Sequence, residues 1–179
     1  IWYMNTAVGQ GTLYLNQSGS MNTVIWGSAL ANNTAWSWNT ALWVSALRVN
    51  SLADYNTAVG MAAMEYNTIG EENVAVGQSA LALNTIGSWN IAIWSQALYT
   101  TTGADFQVAI WYQSLYSNSF GTSNMALGYR AMYANTSWSA NSAFWRLSLF
   151  SNTTGSNNVA YGNSSLYTNT TGIQNVALW

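Results

Sequence analysis

The sequence repeats every 17 residues, and this period runs from Asn5 to the last residue without an insertion or deletion. We number the positions of a repeat as columns one to seventeen and the full repeats as coils one to ten, so that coil one is residues 5–21. Partial repeats, 1–4 and 175–179, flank the ten full repeats, 5–174. A fixed period of this length predicts a solenoid, whose stability comes from stacking each unit on its neighbours.

Each column accepts few residue types, and the consensus is N-T-A-V-G-x-S-A-L-Y-x-N-T-x-G-S-x. Column three is Ala except at Val24, column eight is Ala, Ser or Thr, column nine is Leu or Met, and column twelve is Asn except at Thr101. The segments N-T-A-V and S-A-L-Y are short, partly β-branched runs separated by glycine and N-T-x-G turn signals. They predict two strands per repeat and an all-β, parallel β-solenoid with one repeat per coil.

Neighbouring coils should place each column in register along the axis. The small residues of columns three and eight predict two closely packed sheet layers, with the column-nine side chain between them. The Asn columns predict ladders of side-chain amides spaced about 4.8 Å apart, and ten coils at this spacing make a rod about 50 Å long. The same register places Arg48 beside Glu65, because both occupy column ten.

The composition excludes several classes of function. Charged residues make up 4% of the chain, the net charge is −2, and there is no His, Cys or Pro. Without His and Cys the commonest general bases, thiol nucleophiles and zinc ligands are missing. No basic stripe indicates nucleic acid, and no run of about 18 apolar residues indicates a membrane span. We therefore expect a non-enzymatic protein with no catalytic, metal or cofactor site and no membrane contact by this segment.

The acidic residues offer two weak candidates for chemistry. Glu71 and Glu72 form the only pair of adjacent acids, which is more typical of a solvated corner than of an acid–base pair. Asp54 and Glu71 share column sixteen in successive coils, so a cation bound between them is the alternative. Sequons such as those at Asn135, Asn152 and Asn169 fall on columns that the repeat already requires, so glycosylation is not needed to explain them.

Column ten contains the candidate ligand surface, a row of aromatic residues in consecutive coils: Tyr99, Tyr116, Tyr133, Phe150 and Tyr167. An outward row of this kind binds glycans when sugar faces stack on the rings. The alternative is cross-strand packing that stabilises the solenoid.

Most of the 11 tryptophans occupy two columns in which the other repeats have mainly glycine: Trp26, Trp43, Trp94, Trp111, Trp145 and Trp179 in column five, and Trp2, Trp36 and Trp138 in column fifteen. Glycine is used where φ is positive or where backbones approach closely, and an indole is poorly suited to either. Two explanations are open. Single-base changes of glycine codons would leave the indoles projecting outward. Alternatively, the gene uses UGA as a glycine codon and has been translated with UGA as tryptophan. The second predicts one backbone conformation for Gly and Trp in column five.

With glycine in both columns, residues 73–88 and 158–172 resemble the N-x-A-x-G-x-x-A-L-x-x-N-T-T-G repeats of bacterial and phage surface fibres. They look like a longer-period relative of the head repeats of YadA-like trimeric autotransporter adhesins, and the resemblance covers the whole chain. It implies a left-handed β-roll assembled as a homotrimer. Columns two and four would form an apolar stripe at the threefold axis. The alternative is a monomer with that stripe turned inward.

The resemblance also implies a function. We expect the head or stalk of an adhesin on the bacterial cell surface, a rigid rod that binds a protein or glycan on a host or neighbouring cell. The alternative is the shaft of a phage tail fibre, on a virion. A polysaccharide lyase on a β-helix is the third class, but it needs clustered acids and bases that the sequence lacks. Because the chain begins and ends in mid-repeat, we expect it to be a fragment of a longer protein.

Overall fold

In a computed structural model that describes residues 4–179, the chain is a parallel β-solenoid with one repeat per coil. Columns two to four of each repeat form one short strand, and the strands follow one another as β1 (Thr6–Val8), β2 (Thr23–Ile25), β3 (Thr40–Leu42), β4 (Thr57–Val59), β5 (Val74–Val76), β6 (Ile91–Ile93), β7 (Val108–Ile110), β8 (Met125–Leu127), β9 (Ser142–Phe144), β10 (Val159–Tyr161) and β11 (Val176–Leu178). They make a single 11-stranded sheet in chain order. Residues 4–179 contain no helix long and apolar enough to cross a membrane.

The register of this sheet follows the sequence period. Strand β4 pairs in parallel with β5, so that Ala58 lies opposite Ala75, and every other neighbouring pair shows the same offset of one repeat. The prediction of one 17-residue repeat per coil is therefore confirmed. Each coil contacts the next through identical columns.

The predicted second strand is wrong. The S-A-L-Y segment of columns seven to ten is a run of turns, because columns seven and nine have left-handed backbone conformations, such as φ 60° at Ser45 and 50° at Leu47. The segment is nevertheless bonded to both neighbouring coils: Leu47 N donates to Ala63 O (3.0 Å) in the next coil and Ser45 N to Gly27 O (3.2 Å) in the previous one. The solenoid thus has one sheet opposite a ladder of hydrogen-bonded turns, instead of two sheets.

The core lies between the sheet and this ladder of turns. Ala58 of column three, Ala63 of column eight and Met64 of column nine are fully buried, and their counterparts in other coils join them in one cluster. Side chains alternate across a strand, so columns two and four face away from this core. Ile91 and Met125 in column two are 39% and 38% exposed. The alternative in which the column-two and column-four stripe turns inward is therefore wrong.

Two ladders of buried asparagines hold the coils together, as predicted. In column one, Asn56 Oδ1 accepts from Asn73 N (3.0 Å), and Asn56 Nδ2 donates to Gly70 O (2.9 Å). In column twelve, Asn67 Nδ2 donates to the same carbonyl (2.8 Å) and to Asn50 Oδ1 (2.9 Å). Each buried bond of this kind contributes about 1 kcal/mol, and an unmade one costs more.

The buried, unpaired Asn33 Oδ1 interrupts the column-twelve ladder although Asn50 follows it, and two further interruptions lie where the sequence departs from Asn. Thr101 stands in column twelve, donates its hydroxyl to Asn118 O (2.8 Å), and leaves the buried Asn84 Oδ1 without a partner. Gln107 stands in column one, and its longer side chain donates to Asp105 O and Gly121 O (both 2.7 Å), while its own Oε1 is unpaired. Both defects lie in the middle of the rod.

Candidate functional surfaces

The predicted aromatic row in column ten is a continuous stack of rings. Neighbouring ring centroids are 5.2, 5.1, 5.4 and 5.0 Å apart, and the planes differ by 3–11°, along the series Tyr99, Tyr116, Tyr133, Phe150 and Tyr167. The three inner rings have both faces covered by their neighbours. This geometry is that of aromatic packing between the turns of neighbouring coils. A ligand would reach mainly ring edges and hydroxyl groups, so the stacking of sugars on ring faces has little room within the row.

The position of Tyr116 inside the row changes its acidity. Burial raises the pKa of the Tyr116 phenol, and the neighbouring phenols of Tyr133, Tyr99 and Tyr112 raise it further, because a second phenolate nearby would be repelled. Tyr116 therefore remains a neutral hydrogen-bonding group at neutral pH.

A second cluster adjoins this row and was not anticipated from the sequence. The guanidinium carbon of Arg130 lies 5.4 Å from the ring centres of both Tyr129 and Tyr133 and 6.0 Å from that of Tyr112. That of Arg146 lies 5.8 Å from the ring centre of Tyr129. We call these five residues the arginine–tyrosine patch. Its members lie in columns six, seven and ten of coils seven to nine, which meet only through the fold of the turns, so the period gives no signal for them.

The charges of the rod are segregated along its length. Residues 1–106 contain all five acidic residues and one arginine, Arg48, so their net charge is −4. Residues 107–179 contain two arginines, Arg130 and Arg146, and no acidic residue, so their net charge is +2. Within residues 4–179, the one ion pair joins Arg48 to Glu65, with 2.9 Å between Nε and Oε1. The two guanidinium groups of the arginine–tyrosine patch thus have no carboxylate partner among the described side chains.

A groove borders this patch. Its walls are the indoles of Trp111 and Trp145, which are two coils apart, and the missing side chain of Gly128 opens the space between them. The groove has a volume of about 510 Å³, and its remaining lining is Leu127, Tyr129, Phe144, Arg146 and Tyr161. Tyr129 and Arg146 therefore belong to both the groove and the patch.

Column five has a glycine-type backbone in every full repeat, whichever residue occupies it. The φ angle is 136° at Gly60 and 133° at Gly77, and it is 94° at Trp94 and 104° at Trp111. A Cβ on Gly60 would lie 2.6 Å from Gly77 O, so the backbone at a Trp must rotate to admit one. The indoles project outward, as expected, and Trp94 is 57% exposed. The prediction of one backbone conformation for Gly and Trp is thus confirmed for the sign of φ. The value of φ is smaller at the tryptophans because the Cβ atom needs room.

The indoles of column fifteen disturb the hydrogen bonding between coils. In coils without a Trp there, the column-fourteen N–H donates to the column-thirteen carbonyl of the next coil, as at Ser18, Leu52, Ile69, Ile86, Gly103, Phe120 and Thr154. Within the described part of the chain this bond is absent at Ala35 and Ser137, the residues directly before Trp36 and Trp138. Trp2 lies outside the described residues.

The acidic candidates have mainly structural positions. The carboxylates of Asp54 and Asp105 accept the backbone N–H of Ser37 and Ser88, each one coil earlier, and Glu71 N donates to Ser88 Oγ (3.0 Å). Side chains of column sixteen thus brace the turn of the neighbouring coil. Glu72 is exposed in the same turn. In residues 4–179 no three His, Cys, Asp or Glu side chains lie close enough together to hold a metal ion.

The asparagines of the three sequons at Asn135, Asn152 and Asn169 belong to the column-twelve ladder. Asn135 and Asn152 are fully buried, and Asn169 Nδ2 donates to Asn152 Oδ1 (2.9 Å). Their amides are engaged in the fold, which agrees with the interpretation that the repeat accounts for them.

Comparisons with protein-family models, with curated proteins and with solved structures find no match to this chain. Its function is therefore inferred from its own geometry.

Proposed function

We propose that this chain is a non-enzymatic module of a bacterial cell-surface adhesin, a head or stalk displayed outside the cell and related to the YadA-like adhesins. The observation that carries the proposal is the uninterrupted sheet of eleven strands, in which each coil repeats the last. A structure of this kind offers length and a regular surface, which suit display and attachment.

The bonding between coils supports a stiff rod. Each coil is bonded to its neighbours through the sheet, the ladder of turns and the two asparagine ladders, for example by Thr57 N to Asn73 O (2.9 Å) and by Met64 N to Ala80 O (3.0 Å). Bending such a rod would stretch several of these bonds at once. Repetition also places copies of one surface feature in successive coils, so that weak contacts gain avidity.

The outward stripe of columns two and four supports assembly of three copies. It is apolar along much of the rod, for example at Val74, Ile91, Val108 and Met125, and its side chains face away from the core of their own chain. Three left-handed rolls with their stripes facing a common axis would bury this surface. Long exposed apolar strips are unusual in monomers.

Sedimentation equilibrium of the purified chain tests the assembly, and a trimer is expected. Val108→Lys places a charge in the stripe and should give monomers, whereas Ser119→Lys, on a turn away from the stripe, should leave the trimer intact. Circular dichroism checks that both variants fold. A wild-type chain that sediments as a monomer at micromolar concentration would contradict the trimer.

Cell binding tests the adhesive role. Beads coated with the chain should bind host or bacterial cells more than albumin-coated beads do, and equal binding would remove the adhesin assignment. The parent reading frame separates the two kinds of fibre: a membrane-anchoring barrel after the repeats indicates an adhesin, whereas a chaperone or tip domain indicates a phage tail-fibre shaft.

A further inference from the structure

We propose that the arginine–tyrosine patch (Tyr112, Tyr129, Arg130, Tyr133 and Arg146) binds the carboxylate or sulfate groups of an acidic polysaccharide. The inference rests on the proposed function, since it names the class of ligand that the rod would bind. Its evidence is separate, however, and comes from the placement of charge on coils seven to nine.

Arg130 is held in a fixed orientation. Its Nε donates to Gln113 Oε1 (2.8 Å), and Gln113 in turn donates to Gln96 Oε1 (2.8 Å), so a polar row along column seven supports the guanidinium. Tyrosine rings lie around it at 5.4–6.0 Å. Within residues 4–179 its terminal nitrogens bond to no acceptor. A preorganised guanidinium with free donors matches the paired oxygens of a carboxylate or sulfate.

Arg146 brings a second cation to the same place. It follows Tyr129 in column six, and both guanidinium groups lie within 6 Å of the Tyr129 ring, at 5.4 Å for Arg130 and 5.8 Å for Arg146. Both positive charges lie beside the same ring, and no carboxylate side chain of the described chain neutralises them. An anion bound at this ring would be attracted by both charges.

The charge distribution along the rod directs an anionic polymer to this region. Residues 1–106 carry a charge of −4 and repel it, whereas residues 107–179 carry +2 and contain no acidic residue. The field of the chain therefore favours binding over coils seven to nine alone. Tyrosine hydroxyl groups beside the arginines supply hydrogen bonds for sugar hydroxyls, which favours a polysaccharide over a simple anion.

No member of the patch is a tryptophan. Its members occupy columns six, seven and ten, whereas the indoles that border the adjacent groove occupy column five. Glycine in place of Trp111 and Trp145 would remove the walls of the groove and change φ directly before Tyr112 and Arg146. Both arginines and all three tyrosines of the patch would still be present under either explanation of the tryptophans.

Biolayer interferometry of the full chain against immobilised polysaccharides tests the proposal. We expect binding to polygalacturonate, which carries carboxylates, or to dextran sulfate, which carries sulfates, and the stronger of the two identifies the anion. Neutral dextran should not bind. Added NaCl should weaken binding, because the contact is exposed and ionic.

Three substitutions that each remove one positive charge locate the site. Arg130→Gln and Arg146→Gln should each weaken binding about tenfold, the expected effect of losing one charge-assisted hydrogen bond. Arg48→Gln is the matched control: its guanidinium already pairs with Glu65, and binding should change less than about twofold, the limit expected for an exposed pair far from the site.

Several outcomes would overturn the site. These are an equal loss in Arg48→Gln, no binding to either anionic polymer, or equally tight binding to single-stranded DNA, which would indicate a nucleic acid ligand. Sedimentation and bead adhesion of the same variants separate this proposal from the proposed function. If Arg130→Gln abolishes anion binding but adhesion survives, the patch is not the adhesive site, and only the polysaccharide proposal is overturned. A wild-type chain that binds dextran sulfate but neither trimerises nor adheres removes only the proposed function.

Discussion

Arg48 Nε and Glu65 Oε1 lie 2.9 Å apart, although the residues are one full repeat apart in the sequence. Both occupy column ten, in coils three and four, so the contact was predicted from the period alone and is confirmed. Their side chains are 35% and 20% exposed, and the Arg48 guanidinium carbon also lies 5.6 Å from the ring centre of Tyr66. The pair thus reports directly on the register between two coils.

A double-mutant cycle should find a small coupling for this pair. With Arg48→Gln, Glu65→Gln and the double variant, we expect a coupling free energy of at most about 1 kcal/mol, because water and salt screen a partly exposed ion pair. Urea denaturation at low and high NaCl measures it, and high salt should reduce it further. A coupling of several kcal/mol would show that the pair is far less solvated than its exposure indicates.

Thr101→Asn should stabilise the fold. An Asn in column twelve would donate to the buried, unpaired Asn84 Oδ1 and restore the ladder, which should raise the free energy of unfolding by about 1 kcal/mol. Urea denaturation is the measurement. Thr100→Asn, one residue away in the partly exposed column eleven, is the control and should give no gain. A destabilised Thr101→Asn protein would mean that the hydrogen bond of Thr101 to Asn118 O outweighs the ladder contact.

Replacements of Trp94 should show that column five requires glycine. Both Trp94→Gly and Trp94→Ala remove the indole and its contact with Trp111 (5.7 Å between ring centroids), but only glycine tolerates the local φ of 94° without strain. We expect the Gly variant to be more stable than the Ala variant by about 1 kcal/mol or more. Thermal denaturation of the two proteins decides, and equal stability would argue against a glycine site.

Peptide mass spectrometry of the protein from its natural source distinguishes the two explanations of the tryptophans. If UGA encodes glycine, peptides covering Trp26, Trp94 and Trp138 should each be lighter by the difference between Trp and Gly. The strained column-five backbone and the lost bond before Trp138 both favour that result. Peptides with tryptophan at these positions would end the recoding explanation.

Tyr116 should make stability fall in alkaline solution. Because its folded pKa is raised, the folded chain holds this proton more tightly than the unfolded chain, whose tyrosines titrate near pH 10. The contribution of this proton to the free energy of unfolding is complete below about pH 10 and is lost as pH rises through the folded pKa of Tyr116. Tyr116→Phe keeps the stack and should flatten this fall in urea denaturation. Tyr14→Phe, at a ring 78% exposed outside the row, is the control and should leave the fall unchanged.

The sequence predicts the sheet, the register and the asparagine ladders because each depends on columns that the period aligns. It does not predict the turns of columns seven to ten. Leucine rarely has a left-handed conformation, yet φ is 50° at Leu47 and 52° at Leu81. Burial of the side chain and the hydrogen bond from Leu47 N to Ala63 O outweigh the local strain, and neither is visible in a short-range propensity.

The surfaces were predicted less completely. The stacked row from Tyr99 to Tyr167 follows from one column, so the period reveals it. The contacts of Arg130 cross three columns, six, seven and ten, and depend on how the turns fold over one another. Since the sequence pattern predicts a strand where these turns lie, the approach of Arg130 to Tyr129 and Tyr133 cannot be derived from it.

Every strand of the sheet pairs only with the strands one repeat before and after it. Deletion of residues 56–72 would therefore join coil three to coil five with Asn73 in the place of Asn56, and each column would find an equivalent partner. Recombination between repeats within the gene can thus lengthen or shorten the rod in whole units without a new folding problem. Loss of a single residue is different in kind, because it would turn the buried alanine row of the following strand toward solvent. Selection on such a gene therefore changes the length of the rod in steps of one repeat. It acts against in-frame insertions and deletions that are not whole repeats.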